Sequence, residues 1–243
     1  MAGHSKWSNI KRRKEAVDDK RGKIFSKLGR ELQIAVRSGG ADPETNTLLR
    51  DAIARAKSYN MPNDNIRRSI EKAAGDSGAA ALEEIYYEGY GPGGVAVMAR
   101  ALTDNRHRTA GEVRHIFSKY GGNLGTDGCV AFQFEKKGIL LIERFDGLDE
   151  EQVFMDALEA GADEVVLDDE HMIEIETAPE LYAAVLTELS KSYEFLDQSL
   201  GYVPTVRVNL SSEEDIDNMD KLIERLEDND DVQDVFHNWE QED

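Results

Sequence analysis

The stretch Gly3-His4-Ser5-Lys6-Trp7-Ser8-Asn9-Ile10-Lys11-Arg12-Arg13-Lys14 sets one tryptophan and one histidine among five cations. Lys6, Lys11, Arg12, Arg13 and Lys14 are the residue types that neutralise phosphate oxygens. Trp7 brings a flat aromatic face, and stacking on an unpaired base is worth ~1–3 kcal/mol. The competing role for Trp7 is to pack the arm onto its own protein, and the sequence accommodates both. Further cations follow at Lys20, Arg21, Lys23, Lys27 and Arg30. Lys20, Lys23, Lys27 and Arg30 recur every three or four residues and so share a helix face. Arg67, Arg68 and Lys72 form a second basic patch. Like charges at these spacings destabilise an isolated helix by a few tenths of a kcal/mol each, so a polyanion explains the stripe better than stability does. A third candidate is Asp104-Asn105-Arg106-His107-Arg108-Thr109. It reads as a strand-to-helix turn that sets Arg106 and Arg108 near helical amides, a geometry that holds phosphate; a capped helix start with solvated arginines explains it equally well.

These cations are unevenly distributed. Residues 1–75 carry 17 Lys and Arg against 9 Asp and Glu, whereas residues 76–243 carry 12 against 40. A basic head on an acidic body points to a polyanion partner, most often nucleic acid. The body would repel that partner, but surface fields decay over roughly 8 Å at cellular salt, so the head can act alone.

Other chemistry is weakly supported. The histidines His4, His107, His115, His171 and His237 show no metal-ligand spacing. Asp168-Asp169-Glu170-His171 has the composition of a cation site, but a hairpin turn explains it better. Gly89-Tyr90-Gly91-Pro92-Gly93-Gly94 precedes a strand, the wrong context for a phosphate-binding loop. Cys129 is the only cysteine, has no local His partner and reads as core; one cysteine forms no intrachain disulfide. The expectation is therefore no enzyme, no cofactor and no metal. No apolar run approaches the ~18 residues of a membrane helix, and the basic start lacks a signal-peptide apolar segment. We expect a cytoplasmic protein with no membrane partner, and a monomer is favoured.

The elements that must position these residues follow from periodicity. Ile24, Phe25, Leu28, Leu32, Ala35 and Val36 give one helix, stopped at Gly39-Gly40. Asp42-Pro43 reads as the cap and first residue of a second, with Leu48, Leu49, Ala52, Ile53 and Ala56 facing inward. A third starts after Pro62 and ends at Gly75. Residues 76–81 read as a linker. Beyond it come strands at 95–102, 130–135 and 139–143, and helices at 106–119 and 152–160. A hairpin at 164–176, a helix from Pro179, strands at 194–198 and 205–209, a helix capped by Ser211 and a last strand at 232–237 complete the chain. From 139 to about 199 the order is β-α-β-β-α-β, a ferredoxin-like unit; the flanking β-α-β segments make a second one, interrupted by the first. A single larger mixed sheet is the competing arrangement. The expected fold class is α+β: a basic three-helix bundle over 1–75, a discontinuous α+β domain over 82–137 and 204–243, and an inserted ferredoxin-like α+β domain over 138–203.

Several segments are together distinctive. Gly3 to Trp7, Gly39 to Pro43, Asn60-Met61-Pro62-Asn63-Asp64-Asn65-Ile66, Tyr87 to Gly94, Thr103-Asp104-Asn105-Arg106 and Gly121-Gly122-Asn123-Leu124-Gly125 resemble, in order and over essentially the whole chain, the YebC/PmpR family of bacterial regulatory proteins. The resemblance implies a helical bundle with two α+β domains and a cytoplasmic, non-enzymatic role in gene expression. Members are generally described as DNA-binding transcriptional regulators. Mitochondrial relatives act as translational activators, and some bacterial members are linked to translation at proline-rich stretches. His107 stands where Asn often follows the family's Asp-Asn-Arg. The expected function is a DNA-binding transcriptional regulator, with an RNA- or ribosome-binding translation factor second. The expected contact residues are His4, Lys6, Trp7, Lys11, Arg12, Arg13, Lys14, Lys20, Arg21, Lys23, Lys27, Arg67, Arg68, Lys72, Arg106 and Arg108.

Overall fold

Three amphipathic helices open the fold: α1 (Asp18–Gly39), α2 (Thr47–Ser58) and α3 (Asn63–Gly75). The structure is a computed structural model describing residues 18–75 and 82–240, with side chains from Arg21 onward. The predicted linker at 76–81 and the arm before residue 18 lie outside those residues. Leu28, Leu32, Ala35 and Val36 of α1 pack with Leu49, Ala56, Ile66 and Ala73 in one buried cluster, closed by Tyr59 and Met61. Burying each of the Leu, Ile and Val side chains contributes about 1.5–3 kcal/mol, and each Ala methyl less.

The start of α2 differs from expectation. Asp42 opens a turn instead, its carbonyl accepting from Asn46 N at 3.0 Å and its side chain from Glu44 N at 3.0 Å. The cap is Asn46, whose Oδ1 accepts from Leu49 N at 3.1 Å while its Nδ2 donates to Ala35 O and Gly40 O at 2.7 and 2.8 Å. One buried amide thus satisfies the end of α1 and the start of α2 together, which Asp42 lacks the donors to do.

The chain continues through β1 (Glu83–Tyr90), β2 (Ala96–Thr103), α4 (Arg106–Lys119), β3 (Asn123–Leu124), β4 (Phe134–Glu143), α5 (Glu150–Ala160), β5 (Glu164–Val166), β6 (Met172–Thr177), α6 (Tyr182–Leu189), β7 (Asp197–Pro204), β8 (Val208–Asn209), α7 (Glu213–Asp228), β9 (Val232–His237) and β10 (Trp239–Glu240). The described residues divide into two compact units. One comprises the bundle with the chain to Phe132 and again Leu210–His237; the other comprises Gln133–Asn209 and the chain from Asn238.

In the first unit the antiparallel sheet has the order β3-β1-β2-β9. Helices α4 and α7 supply its buried Val113, Phe117, Met219, Leu222 and Leu226. Strand β1 is absent from the expected elements, because Glu-Glu-Ile-Tyr-Tyr-Glu-Gly-Tyr has no clean apolar alternation. It pairs with β2 from Glu83↔Thr103 to Tyr90↔Ala96. The turn between them needs Gly93 and Gly94, whose φ values of 61° and 82° suit glycine.

In the second unit the order along the chain is β4-α5-β5-β6-α6-β7 and the sheet order is β5-β6-β4-β7, as a ferredoxin-like unit requires. Its core joins Leu140, Ile142, Ile173 and Ile175 of the sheet to Val153, Ala157, Tyr182, Val185 and Leu189. The first unit reproduces this neighbour order, with β1 in the place of β6 although it precedes β2. The expected strands at 130–135 and 139–143 are replaced by a 3-10 turn at Ala131–Gln133 and one continuous strand, β4. Lys136-Lys137-Gly138 looks like a break, but Gly138 is a close approach: a Cβ there would meet Tyr182 Cδ2 at 2.5 Å. Strand β7 begins at Asp197 rather than Glu194, and Ser212, not Ser211, caps α7.

Candidate nucleic-acid interface

The cations of α1 meet the end of a helix in the same unit. Lys23 Nζ donates to Asp228 O at 3.3 Å and Lys27 Nζ to Glu227 O at 2.5 Å. Glu227 and Asp228 close α7. The last carbonyls of a helix lack intrahelical donors and carry the negative end of its dipole. Two lysines one turn apart on α1 therefore act as donors to α7. Arg30 continues the line: its Nη1 donates to Asp230 O at 2.5 Å and to Asp231 Oδ1 at 2.7 Å.

Asp231 is the hub, with 3% of its surface exposed. Its Oδ2 accepts from Arg108 Nη2 and Thr109 Oγ1, both at 2.7 Å, and from Thr103 Oγ1 at 3.2 Å. Burial opposes ionisation, but the hydrogen bonds from Arg108 and Thr109 and the charges of Arg30 and Arg108 outweigh it and hold the carboxyl below its usual range. A second cluster sits farther along α1. Arg100 Nη2 meets Glu31 Oε1 at 2.7 Å and its Nε meets Asp234 Oδ2 at 2.8 Å; Arg55 reaches the same two carboxylates at 3.0 and 3.1 Å. Burial of Arg100 opposes its charge, yet Asp234 and Glu31 raise its pKa above the ordinary arginine value.

A cavity of about 470 Å³ opens beside Asp231. Lys23, Arg30 and Arg108 line it against Asp104, Glu112, Asp228, Asp230 and Asp231. More carboxylates than cations face it, so it offers a phosphate no positive field.

The remaining expected contact residues are placed as follows. His4, Lys6, Trp7, Lys11, Arg12, Arg13 and Lys14 lie outside the described residues, as does the Lys20 side chain. Arg21 is exposed on α1, and Arg68 and Lys72 are exposed one turn apart on α3. Arg67, 66% exposed, pairs with Asp64 at 3.0 Å and Glu71 at 3.7 Å on its own helix. Arg106 and His107 are exposed at the start of α4, where Asn105 Oδ1 caps Arg108 N at 3.1 Å. Arg108 itself turns to Asp104 and Asp231. The structure thus assigns Lys23, Lys27 and Arg108 internal partners. Sequence reasoning passes over Arg37, Arg50 and Lys57, all exposed on the bundle; Arg50 and Lys57 lie two helical turns apart, next in sequence to the buried Leu49 and Ala56 respectively, a spacing the sequence carries.

It also passes over Glu88, 7% exposed. The Glu88 carboxylate accepts from Gly128 N, Val130 N and Ala131 N at 2.8–2.9 Å and fixes the loop that holds Cys129. Cys129 is half-buried in that loop rather than in a strand, and burial and Glu88 raise its thiol pKa. At the β5–β6 turn, Asp169 Oδ1 accepts from His171 N at 2.7 Å and Met172 N at 3.1 Å, giving that acidic run a local structural use. Among the described residues no group of three or more His, Cys, Asp or Glu is placed to hold a metal ion, and no helix is long and apolar enough to cross a membrane.

A cation-rich helical head joined to two antiparallel-sheet α+β folds defines the class of protein. The family model described as "TACO1/YebC protein N-terminal domain" matches residues 5–76, and that described as "TACO1/YebC second and third domain" matches residues 82–239. The chain belongs to the TACO1/YebC family. A relative from Acetivibrio thermocellus named "Probable transcriptional regulatory protein" is 55% identical over 240 residues, covering 98% of this chain and 99% of that protein. A relative of the same name from Finegoldia magna is 54% identical over 243 residues, the whole of both. The crystal structure of a conserved hypothetical protein, Aq1575 from Aquifex aeolicus, matches with a TM-score of 0.86 at 45% identity, covering 92% of this chain and 91% of that one.

Proposed function

We propose that this protein is a non-enzymatic, cytoplasmic regulator of gene expression that binds nucleic acid through its basic head, with duplex DNA in transcriptional control as the target. The carrying observation is the charge reversal: 17 cations against 9 carboxylates up to residue 75, then 12 against 40. The names of the relatives support a regulator. The contact set in this reading is the arm, from His4 to Lys14, together with the exposed Arg21, Arg37, Arg50, Lys57, Arg67, Arg68, Lys72 and Arg106. Lys23, Lys27 and Arg108 serve the fold first. One observation favours a second reading, RNA or ribosome binding in translation: Trp7 gives the arm a stacking face, which suits unpaired bases better than a closed duplex.

Filter binding of the full chain to duplex DNA and to ribosomal RNA across a salt series separates the two. Tight duplex binding supports transcription. Binding to RNA alone supports translation. Failure to bind either at low salt removes both.

A further inference from the structure

Away from the cations, the second unit carries an unusual surface. Residues 145–190 contain 15 Asp and Glu and no Lys or Arg. Within that span α5 turns Val153 and Ala157 into the core, both fully buried, while Phe154, Met155 and Leu158 on its other side are 37%, 51% and 43% exposed. Leu181, 46% exposed at the start of α6, lies by the C-terminal end of α5: its Cδ1 is 3.9 Å from where a Cβ on Gly161, the C-cap of α5, would sit. Scattered exposed apolar residues are ordinary, but a contiguous set of large ones marks an interaction site. Glu151, Glu159 and Glu180 border these residues, are exposed, and have no cation partner among the described residues.

We propose that this face of α5 and the start of α6 docks a basic amphipathic helix of a partner protein. The apolar side of that helix covers Phe154, Met155, Leu158 and Leu181, and its flanking Lys and Arg meet Glu151, Glu159 and Glu180. The charge of the face selects this occupant. Lys137, Arg144 and Lys191 pair with Asp163, Glu150 and Glu188, but Glu151, Glu159 and Glu180 are left for a partner's cations, and that partner must offer apolar anchors at helical spacing to cover a helical stripe. Met155 adds an adaptable contact, as at other surfaces that accept helices. The inference is independent of the nucleic-acid reading, because it uses none of the head's residues.

The test uses the full chain and a fluorescent synthetic peptide of Leu and Lys with its leucines on one helical face. A scrambled peptide of the same composition has no apolar face. At physiological salt the amphipathic peptide binds saturably and roughly tenfold or more tighter than the scrambled one, the scale of one buried anchor. Phe154→Ser with Leu158→Ser removes that advantage while the thermal transition of the protein is retained; where the pair unfolds the unit, Met155→Ser serves alone, being the most exposed of the set. Glu151→Gln with Glu180→Gln flattens the salt dependence. Equal binding of both peptides, or undiminished binding by the folded variants, overturns the proposal and leaves a merely acidic surface. Self-association of the full chain that Phe154→Ser abolishes overturns it in favour of a second copy. Tighter competition by a peptide of residues 1–17 overturns it in favour of the chain's own arm.

Discussion

Arg30 Nη1 donates to Asp231 Oδ1 at 2.7 Å, tying the first helix to the turn between α7 and β9 across 201 residues of sequence. The same carboxylate holds Arg108 and Thr109 of α4. Cations that a sequence reader assigns to phosphate are thus answered by a carboxylate and by helix-end carbonyls inside the unit.

Removing the hub takes their shared carboxylate from Arg30 and Arg108, leaving Arg30 its bond to Asp230 O and Arg108 its exposed pair with Asp104. Asp231→Ala destabilises the protein by about 2–3 kcal/mol, less than the ~3–5 of a fully buried pair because Arg30 and Arg108 reach solvent. Asp231→Asn costs less, since the amide oxygen still accepts. Urea unfolding followed by circular dichroism measures both. A loss near zero for the alanine variant refutes the hub role.

The internal and exposed cations separate in a salt series. Removing one cation that neutralises a phosphate lowers the slope of log affinity against log salt by about 0.7–0.9. Arg68→Ala and Lys72→Ala each lower the slope with unchanged melting temperature. Lys27→Ala leaves the slope intact and lowers stability by about 0.5–1.5 kcal/mol, the range for a helix-end hydrogen bond. A slope change for Lys27→Ala equal to that of Lys72→Ala contradicts the internal assignment.

Much of this fold is legible in the sequence, because most elements bury one periodic apolar face. The α1 stripe from Leu28 to Val36 and the β-α-β-β-α-β order of the second unit need only period counting. The failures share a cause: a tertiary partner decides. Asn46 defeats Asp42 as cap because it also reaches Ala35 O. Gly138 continues a strand because Tyr182 fills the space above it. The Lys23–Lys27–Arg30 face is visible as a stripe, but its partners are α7 and Asp231, some 200 residues distant. Spacing on one helix reports which side chains share a face. It does not report what that face meets.

Two titrations bracket the stable range. The Asp231 carboxyl titrates below its ordinary 3.8 in the folded protein, so its contribution is complete above that value and is lost as pH falls through the lower folded one. Tyr193 is pushed up to about 12, first by burial and then by its hydrogen bond to Asp156 at 2.6 Å. Its contribution is complete below the ordinary 10.0 and is lost as pH rises towards 12. Asp231→Asn therefore narrows the stability gap to wild type as pH drops below 3.8, and Tyr193→Phe does so above pH 10. Chemical denaturation at each pH, with phenolate absorbance for the tyrosine, checks both.

Glu88 gives the sharpest local test, because three backbone amides depend on one side chain. Hydrogen bonds to a charged acceptor contribute about 1.5–3 kcal/mol each, and an amide left unpaired in the interior carries its own desolvation cost. Alanine at 88 removes the acceptor of all three amides, and water replaces it incompletely because Val130 is fully buried. The expected destabilisation is about 3–5 kcal/mol, large for one residue and the mark of a broken buried network. Glu88→Gln keeps the shape and one oxygen but turns an NH₂ donor towards an amide donor, so it recovers less than half of that stability. Amide exchange localises the effect: Gly128, Val130 and Ala131 lose protection in both variants, while the α1–α3 core keeps it. Uniform loss of protection across the chain would instead show that Glu88 supports global folding rather than this loop.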